Sequence, residues 1–357
     1  MKTALIVGGS GLVGGHLRQR LLRDGDWRVI STQRRLPASP QPGVTPLALD
    51  VCDPASVAAL ADLREVTHVF FLARVWQDGY VIGREQNVAA LARVLDAIQD
   101  WPSLRHVQLV HGLKWYGSVD GPFPTPARES DPRPDKPHFY YEQRDLLAQR
   151  QRGRAWGWAT LRPHCVTGLA VGSPSNLMLG IGVYAAAMQA SGRRALPFPA
   201  SREASMARID CTDAGLLSDA MVWAATTPAA QGCDFNVANG DTFSWESVWP
   251  AIAACFGMTA GPPEPLRLAQ RMPEFQPAWA RLAQSQQLAQ PDIVKLVDWN
   301  FMDATLALQW DQTMSLEKLR GHGFVERVDT RAKMLEILRD YRRLRVLPAG
   351  PGEGATA

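Results

Sequence analysis

Three glycines, two arginines, a lysine and a pair of tyrosines have the types and spacing from which chemistry can be built. Gly8, Gly11 and Gly14 follow directly on the apolar run TALIV at residues 3–7. Gly8 permits a tight turn out of a strand, Gly11 lets the backbone approach a pyrophosphate, and Gly14 lets the next helix pack closely on a sheet. The start of that helix, at Leu12 and Val13, offers backbone N–H groups and the positive end of a helix dipole. This is a dinucleotide-binding turn. The cofactor is chosen at the end of the second strand, where an NAD site places an Asp or Glu for the ribose 2′-hydroxyl. Here the chain reads VISTQ followed by Arg34 and Arg35, with no carboxylate until Asp50. Two guanidiniums neutralise and grip a 2′-phosphate, so NADPH is the expected cofactor. Asp50 and Val51, closing a third strand, are expected near the adenine.

The second set concerns a proton donor. Ordinary short-chain reductases carry Tyr-x-x-x-Lys on one helix face, the Lys orienting the nicotinamide ribose and lowering the phenol's pKa. That pair is missing: Tyr140 is followed four residues later by Arg144, and Tyr141 by Asp145. Yet FYYEQRDL at residues 139–146 begins a helix where such a tyrosine belongs. The lysine stands elsewhere, as Lys114 in HGLKWY at residues 111–116, directly after the apolar run HVQLV.

These residues need a scaffold that brings distant segments together. Strand-like runs at residues 3–7, 27–32, 67–72 and 106–110 alternate with helical segments. In residues 87–99, Val88, Leu91, Val94, Leu95 and Ile98 recur at helical spacing. Continuous apolar strands separated by helices mean βαβ units and a parallel, doubly wound α/β sheet. Runs at 158–161 and 235–237 extend it. The expected division is a nucleotide-binding domain over 1–167, with 205–242 returning to the sheet, and a smaller substrate lobe from 168–204 and 243–345. Residues 117–137 read as a long loop and 346–357 as a disordered tail.

HGLKWY and FYYEQRD together resemble the progesterone 5β-reductase/iridoid synthase-like (PRISE) branch of the extended short-chain dehydrogenases/reductases. That branch shares the GxxGxxG spacing, a TGxKxY-like segment supplying the Lys, and an FYYxxED-like segment supplying the Tyr. Further similar stretches are LRP at 161–163, Asn176 ahead of VYAA, FNVANGD at 235–241 and GHGF at 321–324. The resemblance implies a Rossmann fold, Lys114 and Tyr141 as the catalytic pair, and Phe301 lining the substrate pocket. Trp76 and Asn176 are further pocket candidates. Two departures stand out. His111 replaces the family's Thr or Ser, and Arg144, expected on the outer helix face, replaces Glu.

The implied reaction is NADPH-dependent reduction of the C=C bond of a small-molecule enone. The alternatives are carbonyl reduction or sugar-nucleotide epimerisation, which depend on the missing relay, and a non-enzymatic NADPH sensor. Composition narrows the field further. The chain has 357 residues, 46% hydrophobic and 20% charged, which suits a globular protein with ample core. Its net charge of +3 argues against nucleic acid or an anionic membrane as partner. Five scattered cysteines without a CxxC pair argue against a disulfide framework or a metal site and fit a cytoplasmic location. Substrate identity, stereochemistry and oligomeric state stay open, a homodimer among the states allowed.

Overall fold

The computed structural model describes residues 1–77 and 81–350. Seven strands form one parallel sheet: β1 (Lys2–Val7), β2 (Trp27–Gln33), β3 (Val44–Ala48), β4 (His68–Phe71), β5 (His106–Val110), β6 (Gly157–Pro163) and β7 (Cys233–Val237), in the order β7-β6-β5-β4-β1-β2-β3. The central strands are apolar on both sides because helices cover both faces, and Ala4, Leu5, Ile6 and Val7 are all fully buried. The registers pair Val7 with Phe71 and Leu109 with Thr160.

Side chains alternate along each strand. Leu5, Val7, Val69, Phe71, Val107 and Leu109 therefore meet one core, which Leu91 and Leu95 of α2 (Arg84–Ile98) complete together with Leu147 of α3 (Phe139–Gln151). Each such side chain contributes roughly 1.5–3 kcal/mol by leaving water. Helix α1 (Leu12–Asp24) packs beside α4 (Ala214–Thr226), and Arg20 of α1 pairs with Asp219 of α4. Strand order reverses between β1 and β4. In open parallel sheets that reversal leaves a crevice outside the carboxyl ends of the strands, the usual place for a ligand.

The chain divides into two compact units, one of 1–164, 214–238 and 314–326, the other of 165–213, 239–313 and 327–357. The segment rejoining the sheet unit thus starts at Ala214, later than the expected 205, and 314–326 joins it too. Long-range packing explains the second addition: Met314 bridges Ala127, and His322 and Phe324 lie 5.2 and 5.5 Å from Phe235 and Trp223.

The second unit is helical. Its central helix, Leu177–Ala190, is buried on every side as far as Met188, and it packs against the helices Thr330–Arg343 and Gln276–Gln286. The expected disordered tail begins too early. Val346 and Leu347 are 3% and 1% exposed in this core, and the Ala349 N–H donates to Gln286 Oε1 at 2.8 Å. Residues 351–357 lie outside the described residues. Among the described residues, no helix is long and apolar enough to cross a membrane.

Candidate active site

The glycine turn follows β1 as its spacing requires. Gly8 has φ +90°, and a Cβ there would stand 2.7 Å from the Ala73 nitrogen after β4. At Gly14 a Cβ would meet the Gly9 Cα at 2.6 Å, so helix and turn can close only with glycine. Gly11 differs: nothing lies within 4 Å of its Cβ position. It is the N-cap of α1, has no capping side chain, and no acidic residue stands in the first helical turn. Space is therefore open beside Gly11 at the positive end of α1, where the first N–H groups, those of Leu12 and Val13 among them, have no partner within the helix. A pyrophosphate fits this cradle.

The end of β2 is tied to the same turn. The Gly8 and Gly9 N–H groups donate to Thr32 Oγ1 and the Thr32 carbonyl at 3.1 and 2.9 Å. Arg34 and Arg35 follow immediately, both exposed, and neither pairs with a carboxylate among the described residues. A 2′-phosphate fits two such guanidiniums. Asp50 and Val51 do not close a strand, since β3 ends at Ala48. The Asp50 carboxylate accepts the Cys52 N–H at 2.9 Å, shaping a turn, and the Val51 carbonyl accepts from Arg93 at 3.5 Å.

After β5 the chain passes Gly112 into a single 3-10 turn, Leu113–Tyr116, which carries Lys114. Burial lowers the Lys114 ammonium's pKa below its ordinary value, Arg74 lowers it further, and Asp120 opposes them. Buried Arg162 of β6 props this turn. Its guanidinium lies 3.7 Å from the Trp115 ring centre, donates to Tyr116 Oη at 3.0 Å and stands 3.5 Å from Asp234.

Helix α3 begins at Phe139, and its N-cap His138 accepts the Tyr140 N–H at Nδ1. The two tyrosines then diverge. Tyr141 donates its hydroxyl to the Trp115 carbonyl at 2.7 Å, sets its ring edge-on to Trp115 at 4.9 Å and lies under the Arg133 guanidinium. Tyr140 is 2% exposed, stacks on His111 at 4.6 Å, and directs its hydroxyl to within 3.5 Å of the Cβ position of Gly112. Burial raises both phenols' pKa values; for Tyr140, Arg74 pulls the other way by its charge and a hydrogen bond.

His111 is 1% exposed, and neither ring nitrogen has a hydrogen-bond partner among the described residues. Burial, with Arg162 and Arg74 nearby, holds its pKa well below the usual histidine range, so the ring is neutral. His138 is pushed down to about 4, first by burial and then by Lys114.

Arg144 is not on an outer face. It reaches the sheet, 3.2 Å from Asp234 of β7 and 4.9 Å from the Trp158 ring centre, because its turn of α3 packs over β6. Of the expected pocket residues, Asn176 is 1% exposed. Its amide caps the helix Leu177–Ala190 and donates to the Gly168 carbonyl. Phe301 is half-buried against the second unit's core, and Trp76 is exposed. Sequence reasoning missed Arg74, which donates to the His111 carbonyl at 2.9 Å and lies 5.5 Å over the Tyr140 ring. Its signal was position, three residues past the end of β4, at the strand reversal.

Several known proteins are similar. A family model described as a PRISE-like Rossmann-fold domain matches residues 52–287. An (S)-8-oxocitronellyl enol synthase of Nepeta racemosa is 34% identical, covering 90% of this chain and 85% of its own. The 3-oxo-Delta(4,5)-steroid 5-beta-reductase of Arabidopsis thaliana is 30% identical over 97% of this chain and 93% of its own. Among solved structures, a UDP-glucose 4-epimerase of Thermotoga maritima with UDP-glucose superposes with TM-score 0.68 at 14% identity, covering 96% and 99% of the two chains. The Bordetella bronchiseptica enzyme WbmH in complex with NAD+ gives 0.66 at 15%, covering 97% and 100%. These two likenesses concern the fold alone. The family match and the full-length relatives agree with the HGLKWY turn and the FYY helix start: the chain belongs to the PRISE family of extended short-chain dehydrogenases/reductases.

Proposed function

We propose that the chain is an NADPH-dependent reductase acting on the C=C bond of α,β-unsaturated carbonyl compounds. NADPH, held at the glycine turn and by Arg34 and Arg35, supplies the hydride that adds to the β-carbon of the enone. The protein's own task is to stabilise the negative charge that then develops on the carbonyl oxygen. Tyr140 is the donor for that oxygen. Its hydroxyl faces the Gly112 turn, whereas the Tyr141 hydroxyl is already given to the Trp115 carbonyl. Tyr141 instead braces the turn that presents Lys114. A buried, protonated phenol suits hydrogen-bond donation to an enolate, an oxyanion-hole role. Lys114 adds positive charge on the same segment and orients the ribose. The α-carbon takes its proton from solvent, so that enone, NADPH and one proton become the saturated carbonyl compound and NADP.

One observation carries this reading over carbonyl reduction or epimerisation. Arg144, the cation four residues after Tyr140, is committed to Asp234 and Trp158. No cation on that helix face is left to run a proton relay through the phenol, while donation without transfer needs none. The names of the relatives support the same chemistry, since a 3-oxo-Delta(4,5)-steroid 5-beta-reductase acts on an enone. The test is NADPH oxidation with a panel of enones that includes cyclohex-2-enone, with the product identified. The saturated ketone is expected. An allylic alcohol, or no consumption with any member, overturns the reading.

A further inference from the structure

Arg74 stands where β4 gives out at the strand reversal, beside the Ala73 backbone on which Gly8 closes. It is exposed, yet its guanidinium is held inward. One nitrogen donates to the carbonyl of His111, a residue 1% exposed, at 2.9 Å, and the guanidinium carbon lies 5.5 Å from the Tyr140 ring centre. Among the described residues, no carboxylate pairs with it. Among the described residues, the other titratable rings packed on Tyr140 are His111 from the end of β5 and His138 from the cap of α3, both neutral at pH 7. Arg74 is thus, among the described residues, a cation that bears on the Tyr140 phenol.

We infer that Arg74 is a positioning residue of this site: its guanidinium fixes the Tyr140 hydroxyl against the His111 turn and sets a positive charge beside the phenol. A guanidinium suits the task, because it can lie on an aromatic ring and donate to a carbonyl at the same time. Negative charge on an oxygen hydrogen-bonded to Tyr140 is stabilised through the phenol by that fixed charge. In its kinetic part this rests on the reading of the site as an enone reductase; in its electrostatic part it does not.

The experiment uses the full chain labelled with 3-fluorotyrosine, whose phenol ionises at lower pH than tyrosine's. The chain has six tyrosines, and Tyr140→Phe identifies the Tyr140 signal among the 19F resonances. With Arg74→Gln the ionisation midpoint of Tyr140 should move to higher pH, because removing a cation disfavours the phenolate. Arg74→Lys should keep it near the wild-type position. An unmoved midpoint in Arg74→Gln overturns the inference. In turnover of cyclohex-2-enone, Arg74→Gln should lower kcat about tenfold or more while the NADPH KM stays within about threefold, and Arg74→Lys should recover most of the loss. Unchanged kcat in Arg74→Gln also overturns it. If the wild-type protein reduces no enone but the midpoint shift is found, the enone reading fails and the link between Arg74 and Tyr140 stands.

Discussion

The Tyr141 hydroxyl donates to the Trp115 carbonyl at 2.7 Å, one residue beyond Lys114, so the second tyrosine of the FYY run holds the lysine turn in place. Its neighbour Tyr140, rotated by one helical residue, presents its hydroxyl to Gly112 instead. Two adjacent and chemically identical side chains therefore meet different parts of the same turn.

Turnover should separate them. Tyr140→Phe removes the donor to the developing enolate, a loss of about 2.7–4 kcal/mol by analogy with one oxyanion-hole donor, or about a hundredfold or more in kcat. Tyr141→Phe removes a bond to a backbone carbonyl and should cost about 1 kcal/mol of stability with a much smaller effect on kcat. NADPH binding should stay near normal in both. Steady-state kinetics and thermal melts of the two variants decide the matter; the opposite ranking would return the donor role to Tyr141.

Cofactor preference should rest on Arg34 and Arg35. Well-formed charged hydrogen bonds contribute about 1.5–3 kcal/mol each. The double change to Ala should raise the NADPH KM far more than the NADH KM, and equal effects would place the 2′-phosphate elsewhere. Raising the ionic strength should weaken NADPH binding in the wild-type protein more than in the variant.

Gly8→Ala should damage both the fold and the cofactor site. Its φ of +90° strains any L side chain, and the added Cβ would press on the Ala73 backbone. A cost of at least about 1–3 kcal/mol is expected, read as a lower melting temperature and a weakened NADPH fluorescence titration. Gly11→Ala meets nothing within 4 Å, so it should melt normally yet bind NADPH poorly.

Acid should destabilise the sheet unit through its buried histidines, His68 and His106 as well as His111 and His138 of the site. Burial pushes His106 down to about 3 and His68 down to about 4, from an ordinary value of 6.5. A histidine held neutral in the fold gains its proton first in the unfolded chain. The stability it contributes is therefore fully present above pH 6.5 and declines as pH falls toward the folded values. For each group the slope is about 1.4 kcal/mol per pH unit within that window. Denaturant melts at several pH values between 7 and 4 measure the decline. NMR of the ring protons assigns it: none of these histidines should titrate near 6.5 in the folded protein.

Much of this was legible in the chain itself, because the signals are local. A strand followed by Gly8, Gly11 and Gly14, and a second strand ending at Arg34 and Arg35 without a carboxylate, give away a turn and its charge. Both depend only on neighbouring residues and backbone conformation. HGLKWY and FYYEQRD likewise mark the lysine turn and the helix start by their order alone. Which tyrosine hydroxyl faces the Gly112 turn depends on the rotation of α3 about its axis. Packing against Trp115, His111 and Arg133 sets that rotation, and all three come from other segments. Arg74 joins the site, and Arg144 leaves the helix surface for Asp234, for the same reason: each position follows from strand order and from contacts between residues far apart in the chain. Val346 and Leu347 are ordered because a core elsewhere accepts them, and no local pattern records that a distant surface is complementary.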